Sequence, residues 1–171
     1  GEFIPVLRRE LPGILRDFYA HVRKFPHLAA MFGSDANMDR AAKAQESHWM
    51  KLFSARFDDE YVASVRTIGR THSRIGLEPR WYIGGYTFIF RRLCLLASHA
   101  YSSRLRPAAA QEKAGQLMAA LSQVVMIDMD LAISIYLEEN KAGFDRRLHD
   151  ITAAFQQNIT PVVDGLGLSL I

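Results

Sequence analysis

Residues 61–82 read YVASVRTIGRTHSRIGLEPRWY. Tyr61, Val65, Ile68, His72 and Ile75 recur there at alternating steps of four and three, the stripe of an amphipathic helix turned toward a core. An imidazole on such a stripe must be hydrogen-bonded to a neighbour or bound to something, because a buried polar group without a partner is costly. Gly69 lies one turn before His72 and Gly76 one turn after it. A glycine inside a helix costs about 1 kcal/mol relative to alanine, so the pair suggests that something bulky comes close to this face. A flat cofactor with a metal at its centre has that shape. A core histidine satisfied by a neighbouring side chain is the other reading, and position alone leaves both open.

The rest of the chain is read as helices around this one. No long alternating runs and no Asn-Gly or Asp-Gly hairpin turns occur, so strands are not expected. A first helix is expected over about Ile4 to Lys24, with Leu11, Leu15, Phe18 and Val22 on one face and Pro12 as a point of bending or division. A short piece follows from Phe25-Pro26 through Phe32, and Gly33-Ser34-Asp35 breaks it. Further helices are expected over about Met38 to Ala55, from a cap at Asp58 or Asp59 to about Leu77, and over about Pro79 to Tyr101. Pro107 opens a last helix running to about Gln157.

That last helix is apolar almost all round between Leu117 and Leu137. Leu117, Leu121, Val124, Leu131 and Ile135 form one stripe, and Met118, Val125, Met129 and Ile133 a second. Two apolar faces need two neighbours. A symmetric dimer would supply the second; a central place in one bundle is the alternative. Asp128 and Asp130 interrupt the run and read as sites of buried or interfacial hydrogen bonds.

Composition narrows the function. The 171 residues suffice for one domain with a real core, and 49% are hydrophobic. The net charge is +3, and the basic residues are scattered, without a stripe interleaved with exposed aromatics, so nucleic acid is not an expected partner. A single cysteine, Cys94, excludes an internal disulfide and suits a reducing, cytoplasmic compartment. Neither a charge-free apolar run of membrane-spanning length nor a signal peptide is read, so no membrane is expected. Gly1-Glu2-Phe3 reads as a cloning remnant. No CxxCH, Glu-x-x-His, HExxH, GxSxG or Walker A pattern is present, and His21, His27, His99 and His149 have no metal-ligand spacing. Hydrolysis or group transfer therefore has no visible machinery, and no enzyme is expected.

Two other places draw attention. Tyr19 lies beside the first helix's apolar stripe, and a buried tyrosine hydroxyl normally finds a partner; an ordinary core tyrosine is the plainer reading. In the third helix Ala41, Gln45, His48 and Leu52 share a face, with Ala41 and Ala44 small enough to leave room above a flat ligand. Gln45 and His48 could donate to a bound molecule, or lie at a solvent edge while Trp49 and Phe53 make the core.

Asp17-Phe18-Tyr19, Trp49, Tyr61 and the run IGRTHSRIGLEPRWY from Ile68 to Tyr82 together resemble the globin-coupled sensor family. The resemblance covers about Leu11 to Glu139 and is most specific in the pattern IGxxHxxIGLxPxWY. It implies an all-α, globin-like fold holding haem b (iron protoporphyrin IX). His72 would be the proximal iron ligand, Tyr19 the distal residue that hydrogen-bonds bound oxygen, and Tyr82 a neighbour of the proximal histidine. Phe32, Ala41, Ala44, Gln45, His48, Ile68 and Ile75 would complete the pocket. The family's second distal hydroxyl has no match at Ala41 or Ala44, with only Ser47 nearby, and His48 opens the option of a bis-histidine resting state.

The resemblance further implies a homodimer formed through the last two long helices, and oxygen as the ligand, with CO and NO the other gases considered. Residues 1–142 are read as the sensor domain and 143–171 as the start of a helical linker to an output module not in this chain. Phe144 to Leu170 resembles the connector of a chemotaxis (aerotaxis) transducer; a diguanylate cyclase or histidine kinase is the alternative output. Two rival classes stand beside the sensor: a haem enzyme, such as a nitric oxide scavenger or peroxidase-like protein, and a haem-free helical dimerisation module.

Overall fold

Prolines and short polar caps set the helix boundaries. The computed structural model describes residues 2–102 and 105–165 and holds six helices: α1 (Ile4–Val22), α2 (Pro26–Ala30), α3 (Asp35–Leu52), α4 (Asp59–Ile75), α5 (Pro79–Ala100) and α6 (Pro107–Gly165). Ser34 starts α3 by accepting the backbone N–H of Asn37 at 3.2 Å, and Asp58 starts α4 by accepting that of Tyr61 at 3.0 Å. Gly76 ends α4 in the left-handed conformation, φ 71°, and the next N–H, of Leu77, returns to the His72 carbonyl at 2.9 Å. Pro79 then opens α5. Pro12 does not divide α1, which stays one helix.

The core lies where α6 crosses α4 and α5, with α1 packed on α3 and α5. Leu7, Leu11, Tyr61, Val65, Ile89, Leu93 and Val125 are almost wholly buried there. Phe3 is only 6% exposed, so the tripeptide read as a cloning remnant contributes a core side chain. A smaller cluster forms beside it: Tyr19 and Val22 of α1, Leu28 of α2 and Met38 of α3, with Phe32, Ala41, Leu77 and Trp81 against them.

Two expectations are corrected. Gly69 does not make room for a cofactor. A Cβ there would stand 2.7 Å from Cγ2 of Ile135 and 2.9 Å from the Ala132 carbonyl oxygen, so this glycine lets α4 touch α6. Gly76 is required by its positive φ and has open space where a side chain would go. The inner line of α6 also differs from both expected stripes. It runs through Ala114, Leu121, Val125, Asp128 and Ala132, while Leu131 is 37% exposed. The carboxylate read as an interruption of the apolar face is part of the core line.

The opposite side of α6 remains uncovered within one chain. Met126, Ile127 and Leu137 are about half exposed, as are Phe144, Leu148, Ile151 and Phe155 further along. The helix continues without a break past the expected end near Gln157 to Gly165; residues 166–170 of the expected connector lie outside the described residues. By length and composition the stretch Pro107–Asn158 could cross a membrane, contrary to the expectation from sequence. Its inner face, however, is occupied by α4 and α5, and Asp128 at its middle is bound by their side chains.

Gly69→Ala should separate α4 from α6 and destabilise the protein by roughly 1–3 kcal/mol, outweighing the gain of about 1 kcal/mol in helix propensity. Gly84, mid-helix on α5 with nothing within 4 Å of its would-be Cβ, should give the opposite sign on Gly84→Ala. Urea unfolding midpoints of the two variants check the contrast.

Candidate functional site

His72 sits one turn before the end of α4, its ring packed edge-on against that of Tyr82 with centroids 4.6 Å apart. The imidazole makes no hydrogen bond to any described residue. Burial lowers its pKa from 6.5 to about 4, so it is neutral at pH 7 and keeps a nitrogen lone pair free. Leu77, Pro79, Tyr82, Ala132, Ile133 and Tyr136 complete the cleft around it.

Tyr19 is 8% exposed, lying edge-on to Phe18 and Phe32 with centroids at 5.1 and 5.8 Å. Its hydroxyl has no hydrogen-bond partner among the described residues. Burial pushes its pKa above the ordinary tyrosine range, so the hydroxyl keeps its proton. Tyr19 and His72 belong to different clusters with one member in common. Leu77 lines the His72 cleft and also packs in the cluster around Tyr19. Phe32 and Ala41 join the Tyr19 side and Tyr82 the His72 side. The Gln45 side-chain oxygen is buried without a partner, an arrangement that costs about 1–3 kcal/mol.

The other expected pocket residues are not among the side chains lining the His72 cleft. Ile68 packs against the main core, and Ala44 and Ile75 are exposed. His48 is 5% exposed and both its ring nitrogens are engaged: Nδ1 with Ser64 Oγ at 3.1 Å, Nε2 with both oxygens of Asp128 at 3.0 Å. It is therefore not free to bind a metal or a ligand.

Asp128, expected to hold a buried or interfacial hydrogen bond, gathers a buried network whose partners the sequence did not show. Tyr61 of α4 donates its hydroxyl to Oδ1 at 2.7 Å, Tyr86 of α5 donates to Oδ2, and His48 comes from α3. Burial alone would raise the Asp128 pKa, but the hydrogen bonds and charge of His48, with the two tyrosine donors, hold it below the ordinary carboxylate value. An ionised carboxylate only accepts, so Tyr86 commits its one proton to Asp128. The 3.0 Å bond between the Tyr82 and Tyr86 hydroxyls then has one direction: Tyr82 donates. Ser64, His48 and Asp128 are the residue types of a nucleophilic triad. Two tyrosines occupy the carboxylate, however, and neither the cleft beside His72 nor the one at Tyr61 is lined by Ser64. No group of three metal-ligating side chains occurs among the described residues.

The donor set suits haem iron: one neutral imidazole without a hydrogen bond, a partnerless tyrosine hydroxyl beyond Leu77, and an orphaned amide oxygen. The cavity at His72 is only about 10 Å³, space for at most a single water, so a porphyrin could enter only by displacing the side chains that line it.

The architecture defines a class, the globin-like helical domain. It superposes on the globin domain of a globin-coupled sensor from Geobacter sulfurreducens with a TM-score of 0.68 at 16% identity, covering 78% of this chain and 84% of that one. The protoglobin family model matches residues 2–142, and the chain belongs to that family. It is also 26% identical over 150 residues to the haem-based aerotactic transducer HemAT of Halobacterium salinarum, a match covering 85% of this chain. The chain spans 30% of that transducer's length.

The partly buried His72 gives a pH signature to the haem-free protein. The unfolded chain takes up a proton at His72 near pH 6.5, the folded chain only near pH 4, so the fold loses stability as pH falls through that window. The Asp128 contribution has the same sign but is lost only below its ordinary value of 3.8. Urea midpoints measured from pH 7 to 4 should decline, and His72→Phe should flatten the decline.

Proposed function

We propose that this chain is the sensor domain of a longer signalling protein, binding haem b through His72 and a diatomic gas, oxygen first, next to the Tyr19 hydroxyl. The observation that carries the reading is the pair of unpartnered polar groups. Tyr19 is buried and His72 partly buried, neither has a hydrogen-bond partner among the described residues, and Leu77 packs in the surroundings of both. Haem, when bound, supplies an iron that takes a small gas reversibly.

Each side chain then has a defined part. His72 offers a neutral nitrogen, which its burial maintains down to acid pH. Tyr19 keeps its proton and so can donate a hydrogen bond, which favours a ligand that gains negative charge over an apolar one. Gln45 offers a second polar atom on α3. His48 takes no part in ligation, and a bis-histidine resting state has no support from its bonds.

The output belongs to the part of the protein beyond this chain. Similarity to an aerotactic transducer supports a chemotaxis module, with a diguanylate cyclase or histidine kinase as the alternative. Residues 143–171 would be the start of the connector. The half-exposed face of α6, with Ile83 and Leu95 exposed on α5, supports a homodimer through the last two long helices. A sensory rather than enzymatic role and a cytoplasmic location complete the reading.

Haem titration of the purified protein should saturate at one equivalent per chain. His72→Gly should abolish the stoichiometric Soret band, and added imidazole should restore it. Tyr19→Phe should speed oxygen dissociation roughly ten- to a hundredfold, the worth of one hydrogen bond to a charged acceptor, while leaving carbon monoxide dissociation almost unchanged. Stopped-flow replacement kinetics measures both, and an unaltered oxygen rate would remove Tyr19 from the site.

A further inference from the structure

The hydrogen bonds around Asp128 form a path that begins at the His72 cleft and ends on α6. The ring of Tyr82 touches His72, and its hydroxyl donates to Tyr86 at 3.0 Å. Tyr86 donates to Asp128, a wholly buried residue in the middle of α6. His48 from α3 and Tyr61 from α4 hold the same carboxylate from other sides. The path has a fixed direction because its terminus can only accept.

We infer that Tyr82, Tyr86 and Asp128 form a coupling relay that transmits occupation of the His72 cleft to α6, with Tyr86 as the positioning residue. This rests on the proposed haem site. The physical reason lies in two constraints. The cleft is too small to admit a ligand of haem size without moving its lining, which is Tyr82 on one side and Ala132, Ile133 and Tyr136 of α6 on the other; the relay carries the effect to the Asp128 turn, which does not line the cleft. When Tyr82 moves, Tyr86 loses its donor or follows it. Asp128 cannot give up a donor cheaply, since a buried carboxylate depends on its hydrogen bonds. The adjustment therefore falls on the helix that carries Asp128, which is also the helix that leaves the domain.

Tyr61 provides the control. It donates an equivalent hydrogen bond to the same carboxylate but lies off the path from His72. A purely structural role for the network would make Tyr61 and Tyr86 equal; a relay makes them different.

The test is amide hydrogen exchange, read by mass spectrometry over residues 121–129 of the full chain, which hold Asp128 but none of the cleft's lining, with and without one equivalent of haem. The Soret band of the same samples reports haem uptake separately. In the parent protein, haem should change exchange in this segment. Tyr86→Phe should still take up haem but lose that change, whereas Tyr61→Phe should raise exchange in both states and keep the difference. Should Tyr86→Phe not fold, Tyr82→Phe keeps the ring beside His72, removes only the hydroxyl, and should show the same loss.

An undiminished response in Tyr86→Phe, an equal loss in Tyr61→Phe, or a parent that takes up haem with no change in α6 would overturn the relay while leaving the haem site standing. A parent without a Soret band would overturn both.

Discussion

One buried carboxylate organises this fold. Asp128 has no exposed surface, and a charge in that position is tolerated only when its hydrogen bonds are complete. Its donors come from three other helices, His48 on α3, Tyr61 on α4 and Tyr86 on α5, so the four elements are fixed in register around a single side chain. Apolar packing at this crossing could slide by a turn at modest cost, but the hydrogen bonds cannot. Gly69 contributes the steric counterpart by letting α4 approach Ala132 and Ile135 one turn further along α6.

The candidate site lies to the side of this anchor and has the opposite character. Around Asp128 the side chains that meet are mutually satisfied; around His72 and Tyr19 they are not. A protein normally hydrogen-bonds its polar groups, so an imidazole in a small cleft, a phenol whose cluster shares Leu77 with that cleft, and a buried Gln45 oxygen, each without a partner, are informative. The two regions meet at Tyr82, which touches His72 with its ring and the Asp128 network with its hydroxyl.

Most helix boundaries were legible in the sequence because they are local chemistry: Pro79 and Pro107 open helices and Asp58 caps one. The inner face of α6 was legible only in part: Asp128 was expected to hold a buried or interfacial hydrogen bond, as it does, but neither its place on the core line nor its partners could be read. Those partners are far away in sequence; His48 lies 80 residues from Asp128. The same blindness placed His48 in the pocket, where its helical face pointed to it, although both of its nitrogens serve the core. The flanking glycines of His72 misled in the other direction, because glycine signals close approach without saying by what. His72 and Tyr19 were singled out by their places on helical stripes, but their roles rested on a motif resemblance; periodicity alone left His72 open between ligand and core residue and favoured a core residue for Tyr19.

The most direct test of the account is the visible absorption spectrum of the purified protein supplied with haem, reduced with dithionite and then returned to oxygen. A strong Soret band that shifts reversibly with oxygen in the parent, and is absent from His72→Ala, is the predicted result. A protein that folds, stays colourless in the presence of haem and is indifferent to His72→Ala would contradict it, and would make His72 a core histidine of a helical domain with another purpose.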